Sequence, residues 1–162
     1  MKLLFICTHN RCRSILAEAI ANHYGEGLLT AFSAGSSPAD KVHPLTIRAL
    51  QEWQIPVEGL HSKSWDSFEK QAIDYVITVC DRAANEPCPL WFGKSRQVHW
   101  GLSDPSKIAG DDETIKAAFD ATITTLKNRV ISLTQYLKQG PSEEKLYQYI
   151  SQLADKNADG TV

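Results

Sequence analysis

One short segment near the N-terminus combines residue types that suit nucleophilic chemistry on an anion. Five residues separate a cysteine, Cys7, from Arg13, which is followed directly by the hydroxyl of Ser14. A thiolate attacks electrophilic phosphorus or arsenic, and the planar guanidinium of arginine binds two oxygens of a tetrahedral oxyanion at once. The spacing therefore predicts a site in which Cys7 attacks an oxyanion that Arg13 holds.

The elements around this segment are expected to strengthen the anion site. Apolar periodicity predicts a buried strand over residues 2–8 and a helix over 14–24. Backbone N–H groups and the helix dipole attract an anion at a helix start, and the same field favours the thiolate form of Cys7. We expect Ser14 to donate its hydroxyl to that thiolate, Asn10 to hold the loop in shape and Arg11 to face outward. The other loop residues expected to bind the oxyanion or support the loop are Thr8, His9 and Cys12.

Cys7 and Cys12 each leave an alternative open. Cys7 is also compatible with a small buried side chain that ends a strand, the common fate of a lone cysteine. Its pattern is rare by chance and falls at a strand-to-helix junction, which favours the functional interpretation. Cys12 is interpreted as a neutral loop residue, a site of damaging oxidation or a back-up partner for Cys7.

The rest of the chain alternates short apolar runs with helical periodicity, which is typical of β/α units around a parallel sheet. Further strands are predicted over residues 30–33, 75–79 and 97–100, and further helices over 42–53, 112–138 and 142–153. The 14–24 helix is expected to be amphipathic, and residues 80–93 are expected to form a loop. The pattern predicts an α/β domain over residues 1–154 and a loose tail over 155–162.

Composition excludes several function classes. The 162 residues carry 17 Lys and Arg against 19 Asp and Glu, whereas a dedicated binder of nucleic acid or membrane surfaces normally has a basic excess. No apolar stretch approaches the ~20 residues of a membrane helix, and the run over residues 3–6 is too short for a signal peptide. We expect a cytoplasmic monomer whose four cysteines serve chemistry rather than disulfide bracing.

Residues 4–18, LFICTHNRCRSILAE, resemble the motif of the low molecular weight protein tyrosine phosphatase superfamily, which includes the thioredoxin-coupled arsenate reductases. Residues 33–35, Ser-Ala-Gly, and the dipeptide Asp104-Pro105 also match. The resemblance implies a four-stranded parallel sheet flanked by helices in a three-layer sandwich. It also implies that Cys7 is the nucleophile, Arg13 the oxyanion binder and Asp104 the general acid that protonates the leaving oxygen.

Residues 79–89 are similar to the redox segment of the arsenate reductase branch. This similarity implies that Cys80 attacks Cys7 and releases arsenite, and that Cys88 then attacks Cys80, leaving a Cys80–Cys88 disulfide. Reduced thioredoxin is the expected electron donor, with glutaredoxin and glutathione as the alternative. The pair is also compatible with half of a zinc site, although its spacing is wider than usual, or with two inert buried thiols.

The residues after Asp104 favour a small inorganic substrate. Tyrosine phosphatases of the superfamily place aromatic side chains after the Asp-Pro dipeptide, but here Ser106 and Lys107 follow. Trp91, Phe92 and Trp100 could replace that aromatic surface only if the fold brought them to the mouth of the site, and all three are expected to pack in the core. Arsenate, with phosphate or sulfate as analogues, is therefore the expected ligand. Two other functions stay open, a low molecular weight phosphatase that forms a phosphocysteine on Cys7 and a non-enzymatic thiol redox sensor.

The resemblance bears on cofactors as well. No bound metal or organic cofactor is expected. Some arsenate reductases hold potassium near the anion loop with Asn, Glu, Ser and Asp side chains. Asn10, Glu18 and Ser33 match that set, but residues 59–62 supply no acid, a departure that argues against potassium activation. His43 is expected to cap or pack rather than to bind a ligand.

Overall fold

The structure, a computed structural model, describes residues 1–86 and 90–155. Its centre is one sheet of four parallel strands in the order β2-β1-β3-β4, which confirms the predicted sheet. The strands are β1 (Lys2–Ile6), β2 (Thr30–Ala34), β3 (Tyr75–Thr78) and β4 (Arg96–His99). Each lies within a residue or two of its predicted position, because short apolar runs bounded by polar residues predict strands well.

Five α-helices accompany the sheet in the described part of the chain. They are α1 (Arg13–Tyr24), α2 (Pro44–Glu52), α3 (Asp81–Asn85), α4 (Asp112–Leu137) and α5 (Glu143–Gln152). Short 3₁₀ turns span Trp65–Phe68, Leu90–Lys94, Pro105–Lys107 and Leu153–Asp155. The predicted tail from residue 155 onward lies outside the described residues, except that Asp155 ends the last 3₁₀ turn. None of the described helices is both long enough and apolar enough to cross a lipid bilayer.

Two expectations about helices were wrong. Residues 80–93 were expected to be a loop, but they contain α3 and a 3₁₀ turn. Helix α3 forms because the Cys80 Sγ accepts the Ala83 N–H at 3.4 Å and Ala83 is buried. Helix α1 is not amphipathic, since residues 14–21 are all buried. It contacts α4 as well as β1 and β2, and therefore lacks a solvent face over most of its length.

The core lies on both faces of the sheet. Leu3, Leu4 and Phe5 of β1 are all fully buried, as expected for an inner parallel strand covered by helices on both sides. Trp100, directly after β4, is fully buried and donates its Nε1–H to the carbonyl oxygen of Ile150 in α5 at 2.8 Å. Phe92 is 1% exposed, so the expected packing roles of Phe92 and Trp100 are confirmed. The side chain of Trp91 lies outside the described part of the structure, and its expected role stays a prediction.

The sheet topology brings three distant segments to one edge. Ile6, Thr78 and His99 are neighbours across β1, β3 and β4 at the carboxyl ends of these strands. The segments that follow them begin at Cys7, Val79 and Trp100, so their loops meet at that edge. The direction in which the chain adds strands reverses at this point, because β2 lies on one side of β1 and β3 lies on the other. A crevice at such a switch point is where open α/β sheets bind ligands.

Candidate active site

Residues 7–14, the anion loop, connect β1 to the first turn of α1. Cys7 is 5% exposed, and its Sγ lies 2.9 Å from the Oγ of Ser14. The Asn10 side-chain amide donates to the same Ser14 Oγ at 2.7 Å and to the Oγ of Ser33 at 3.0 Å. Because the Ser14 oxygen already accepts from Asn10, its own O–H is left to donate to Cys7.

Three backbone carbonyl groups of the anion loop accept hydrogen bonds from the segment that follows β2. The carbonyl oxygens of Thr8, His9 and Arg11 accept N–H groups of Ser37, Ala39 and His43, each at 2.9 Å. In the described part of the chain, the N–H groups of residues 8–12 donate to no other protein group. Several N–H donors are therefore left for a tetrahedral oxyanion, the arrangement that stabilises negative charge at a helix start.

Two backbone features make this turn possible. Asn10 adopts a left-handed conformation with φ of 47°, which asparagine tolerates better than most residues, and its Oδ1 accepts the Lys63 N–H at 2.8 Å. Gly35, directly after β2, lies against the loop. A Cβ at Gly35 would lie 2.6 Å from the carbonyl oxygen of Thr8 and 2.9 Å from that of Cys7, so only glycine fits there.

Arg13 and Asp104 contact each other in the lining of the cavity. The Arg13 Nη2 lies 3.5 Å from the Asp104 Oδ2, and Nη1 donates to the carbonyl oxygen of Leu102 at 2.9 Å. Asp104 begins the 3₁₀ turn Pro105–Lys107, and its Oδ1 accepts the Ser106 hydroxyl at 2.6 Å. The structure thus brings the predicted oxyanion binder and the predicted acid together although 90 residues separate them in the chain.

Cys80 lies beside the anion loop. It is 4% exposed, and its Sγ is 3.8 Å from the Thr8 Oγ1, which also donates to the Glu86 Oε1 at 3.3 Å. Cys7, Cys12 and Cys80 are all free thiols in the described part of the chain. Cys88 lies outside the described residues, so its predicted role stays a prediction.

These groups enclose a cavity of about 200 Å³ at the carboxyl edge of the sheet. The positive side chains of Arg11, Arg13, Arg82 and Lys107 outnumber the single carboxylate of Asp104 in its lining, which attracts an anion. Arg11 is exposed at the mouth, as expected. The remaining lining residues are Cys7, Thr8, His9, Cys12, His43, Cys80 and Ser106.

Burial shifts the pKa of two residues that line the cavity. It raises the pKa of the Cys12 thiol to about 12, although the Thr46 side chain opposes the shift. Cys12 is therefore a neutral thiol at physiological pH. Burial also lowers the pKa of His43, whose Nδ1 accepts the Leu45 N–H at 3.1 Å as the N-cap of α2. The expected capping role of His43 is confirmed.

Lys63 was not identified from the sequence. Its ammonium lies 3.8 Å from the Glu18 carboxylate, and both side chains lie just below the anion loop without lining the cavity. The sequence singled out Glu18 only as a match to the potassium-binding set, and the helix that carries it was expected to be amphipathic. The structure buries Glu18, and a buried carboxylate needs a partner. Nothing in the chain order indicates which of the basic residues supplies it.

No group of three or more His, Cys, Asp or Glu side chains within residues 1–86 and 90–155 is arranged to hold a metal ion. The site consists instead of a thiol, N–H donors and a guanidinium around a cavity of about 200 Å³. Such a set is suited to attack on a tetrahedral oxyanion or its ester.

Comparison with known proteins places this geometry in a family. An arsenate reductase from Halalkalibacterium halodurans is 36% identical over 117 residues, covering 72% of this chain and 83% of the relative. A glutaredoxin arsenate reductase from Synechocystis is 34% identical over 104 residues, covering 64% of this chain and 78% of that protein.

Among solved structures, the thioredoxin-dependent arsenate reductase of Corynebacterium glutamicum superposes with a TM-score of 0.64 at 28% identity, over 86% of this chain. This chain spans 63% of that longer protein. The family model described as low molecular weight phosphotyrosine protein phosphatase matches residues 2–143. The chain therefore belongs to the low molecular weight phosphotyrosine protein phosphatase family.

Proposed function

We propose that the protein is an arsenate reductase that forms an arsenic adduct on Cys7 and resolves it through Cys80 and Cys88. The observation that carries this proposal is the position of Cys80, a free buried thiol whose Sγ lies 3.8 Å from the Thr8 Oγ1 of the anion loop. A phosphatase completes its turnover with water and needs no second thiol at this place. The similarity to relatives named arsenate reductases supports the same activity.

In the first step, the Cys7 thiolate attacks the arsenic of arsenate. A sulfur–arsenic bond forms while the bond from arsenic to one of its hydroxyl groups breaks, and the leaving hydroxyl takes a proton from Asp104 and departs as water. Arg13 and the N–H groups of residues 8–12 bind the remaining oxygens and stabilise the charge that builds up on them. Arsenic stays in its +5 state at this stage, so a reductant is still required.

In the second step, the Cys80 thiolate attacks the Sγ of Cys7. A sulfur–sulfur bond forms, the sulfur–arsenic bond breaks, and its electron pair moves to arsenic, which leaves as arsenite in the +3 state. The Cys88 thiolate then attacks the Sγ of Cys80, which releases Cys7 as a thiolate and leaves a Cys80–Cys88 disulfide. A dithiol donor reduces that disulfide and is itself oxidised.

Thioredoxin is the proposed donor, because the structural neighbour from Corynebacterium glutamicum is described as thioredoxin-dependent. Glutaredoxin is the alternative, because the Synechocystis relative is named a glutaredoxin arsenate reductase. Supplying each donor with its own reductase in separate assays distinguishes them.

The residues around the cavity favour arsenate over a phosphotyrosine ring as the substrate. Ser106 follows the Asp104-Pro105 dipeptide and uses its hydroxyl to bind Asp104, so it supplies no aromatic surface. Trp100 and Phe92 are buried in the core and do not line the cavity. Hydrolysis of small phosphate monoesters is a second candidate activity, since the Cys7, Arg13 and Asp104 arrangement suffices for it.

The test measures arsenite by chromatography with arsenic detection after arsenate is mixed with the protein, thioredoxin, thioredoxin reductase and NADPH. Wild type is expected to form arsenite over many turnovers, whereas Cys80→Ser and Cys88→Ser are expected to form at most one equivalent of arsenite per protein molecule. Mapping of disulfides by mass spectrometry after one turnover is expected to find Cys80 joined to Cys88.

A sulfate-dependent rise in Tm serves as the folding control for each variant, since it reports an intact anion loop. Absence of arsenite from wild type with either donor, or full turnover by Cys88→Ser, would overturn the proposal. A redox sensor would show the disulfide after oxidation but no product.

A further inference from the structure

A buried ion pair lies beneath the anion loop. Glu18 of α1 and Lys63 have side chains that are 11% and 12% exposed, and neither lines the cavity. Burial raises the pKa of Glu18, while the Lys63 ammonium opposes that shift. Burial lowers the pKa of Lys63, while Glu18 opposes that shift in turn. Each charge therefore depends on the other, because an isolated buried charge is strongly unfavourable.

An unbroken chain of contacts connects this pair to the nucleophile. The Ser33 hydroxyl donates to the Glu18 Oε2 at 3.2 Å and accepts from the Asn10 amide at 3.0 Å. The same amide donates to the Ser14 Oγ at 2.7 Å, and Ser14 lies 2.9 Å from the Sγ of Cys7. A negatively charged Glu18 can only accept a hydrogen bond, so the Ser33 hydroxyl must donate to it. The Ser33 oxygen then accepts from the Asn10 amide and orients that side chain.

The Lys63 ammonium lies among oxygens that would otherwise suit a monovalent cation. Its Nζ donates to the carbonyl oxygen of His61 at 2.7 Å and lies 3.5 Å from the Ser33 Oγ and 3.8 Å from the Glu18 Oε2. Potassium does not fit here as a resident ion, because the ammonium contacts the same oxygens and would repel a second positive charge.

We propose that the ammonium of Lys63 is a built-in cation that takes the place of a dissociable monovalent ion beneath the anion loop. Lys63 is thus a positioning residue, which holds Glu18 and Ser33 in place and through them orients Asn10 and Ser14 towards Cys7. The consequence for catalysis rests on the proposed function, but the positioning of Cys7 is measurable without arsenate.

The test replaces the ammonium with an uncharged chain of similar length, Lys63→Met, and compares it with Lys70→Met, which changes an exposed lysine. The rate at which iodoacetamide modifies Cys7 at pH 7 is followed by peptide mass mapping in potassium, sodium or tetramethylammonium chloride at equal ionic strength. Wild type and Lys70→Met are expected to react equally in all three salts.

In tetramethylammonium chloride, Lys63→Met is expected to react about three- to tenfold more slowly than wild type, the equivalent of about 0.7–1.4 kcal/mol. Potassium or sodium, which are small enough to bind Glu18, are expected to restore part of the rate and to raise the Tm. Adding Glu18→Gln to Lys63→Met is expected to abolish this response to salt, because no buried charge is left to neutralise. Lys63→Gln serves as the second variant if the methionine variant does not fold.

Three outcomes would overturn the proposal: a wild-type rate that rises with potassium, a Lys63→Met rate equal to that of wild type, or a slow rate that neither small cations nor Glu18→Gln change. The last outcome would indicate a general loss of structure. None of these measurements involves arsenate or thioredoxin, so they can fail while the proposed reductase activity stands, and the reverse holds as well.

Discussion

The Nη2 of Arg13 lies 3.5 Å from the Oδ2 of Asp104, so the side chain proposed to bind the oxyanion is paired with a carboxylate. Both side chains are less than one-fifth exposed, which limits the screening of this pair by water. An oxyanion that enters the cavity competes with Asp104 for the guanidinium. The pair therefore holds Arg13 in place before binding, at a cost in affinity for the anion.

Asp104→Asn is expected to separate these two effects. Without the competing carboxylate, sulfate should bind more tightly, as measured by titration calorimetry. Without the acid, hydrolysis of p-nitrophenyl phosphate and turnover of arsenate should both fall by about 10²–10⁴-fold. Asp112→Asn, an exposed position in the first turn of α4, is the control that should change neither quantity. Weaker sulfate binding by Asp104→Asn would show that the carboxylate helps to build the anion site instead.

Ser14→Ala is expected to weaken the nucleophile. It removes the hydroxyl that lies 2.9 Å from the Sγ of Cys7, and a hydrogen bond to a charged group contributes about 1.5–3 kcal/mol. Modification of Cys7 by iodoacetamide at pH 7 should slow by about ten- to a hundredfold. Ser67→Ala, at an exposed position, is the matched control. An unchanged rate would mean that the N–H groups of the loop stabilise the thiolate without help from Ser14.

Cys12 is expected to react far more slowly than Cys7 although both belong to the anion loop. It is 2% exposed, and burial raises the pKa of its thiol to about 12, so almost none of it is thiolate at pH 7. A time course of alkylation with peptide mapping should show Cys7 modified first and Cys12 modified only as fast as the protein unfolds. Equal rates would contradict the buried, neutral state of Cys12.

The same shift in pKa predicts how stability changes at alkaline pH. The folded pKa of Cys12 is about 12, above the ordinary value of 9.0. Between these values the unfolded chain releases the proton while the folded protein keeps it, so the free energy of unfolding falls as pH rises. Cys12→Ser should make this fall shallower above pH 9 in urea unfolding experiments. The same slope in both proteins would mean that Cys12 ionises without cost in the folded state.

Gly35→Ala is expected to displace the anion loop. The added Cβ would lie 2.6 Å from the carbonyl oxygen of Thr8, and relieving such a clash costs about 1–3 kcal/mol. Sulfate should then cause little or no rise in Tm, and the Tm without sulfate should be lower. At Gly93 a Cβ would meet no atom of the described residues within 4 Å, so Gly93→Ala is the control. Normal sulfate binding by Gly35→Ala would show that the loop can move without losing the site.

Local patterns in the sequence predicted most strands and helices correctly, and they also led to the two wrong assignments. The strands and the helix α4 follow from apolar periodicity, which is a local property. The interpretation of residues 80–93 as a loop was wrong because the Sγ of Cys80 caps the N-terminus of α3. Asparagine and proline in that segment are typical of loops and gave no indication of a helix. The helix α1 was expected to be amphipathic, but its position between the sheet and α4 buries it.

By itself, the sequence determined the candidate nucleophile, the candidate oxyanion binder and the loop that holds them, because residues 7–14 are contiguous and their expected chemistry depends on local spacing. Only the tertiary structure decided that Asp104 faces Arg13, that Cys80 lies beside Thr8 and that Lys63 neutralises Glu18. These partners come from separate segments of the chain. Their meeting depends on the order and register of four parallel strands, which arise from the packing of the whole core rather than from any local pattern.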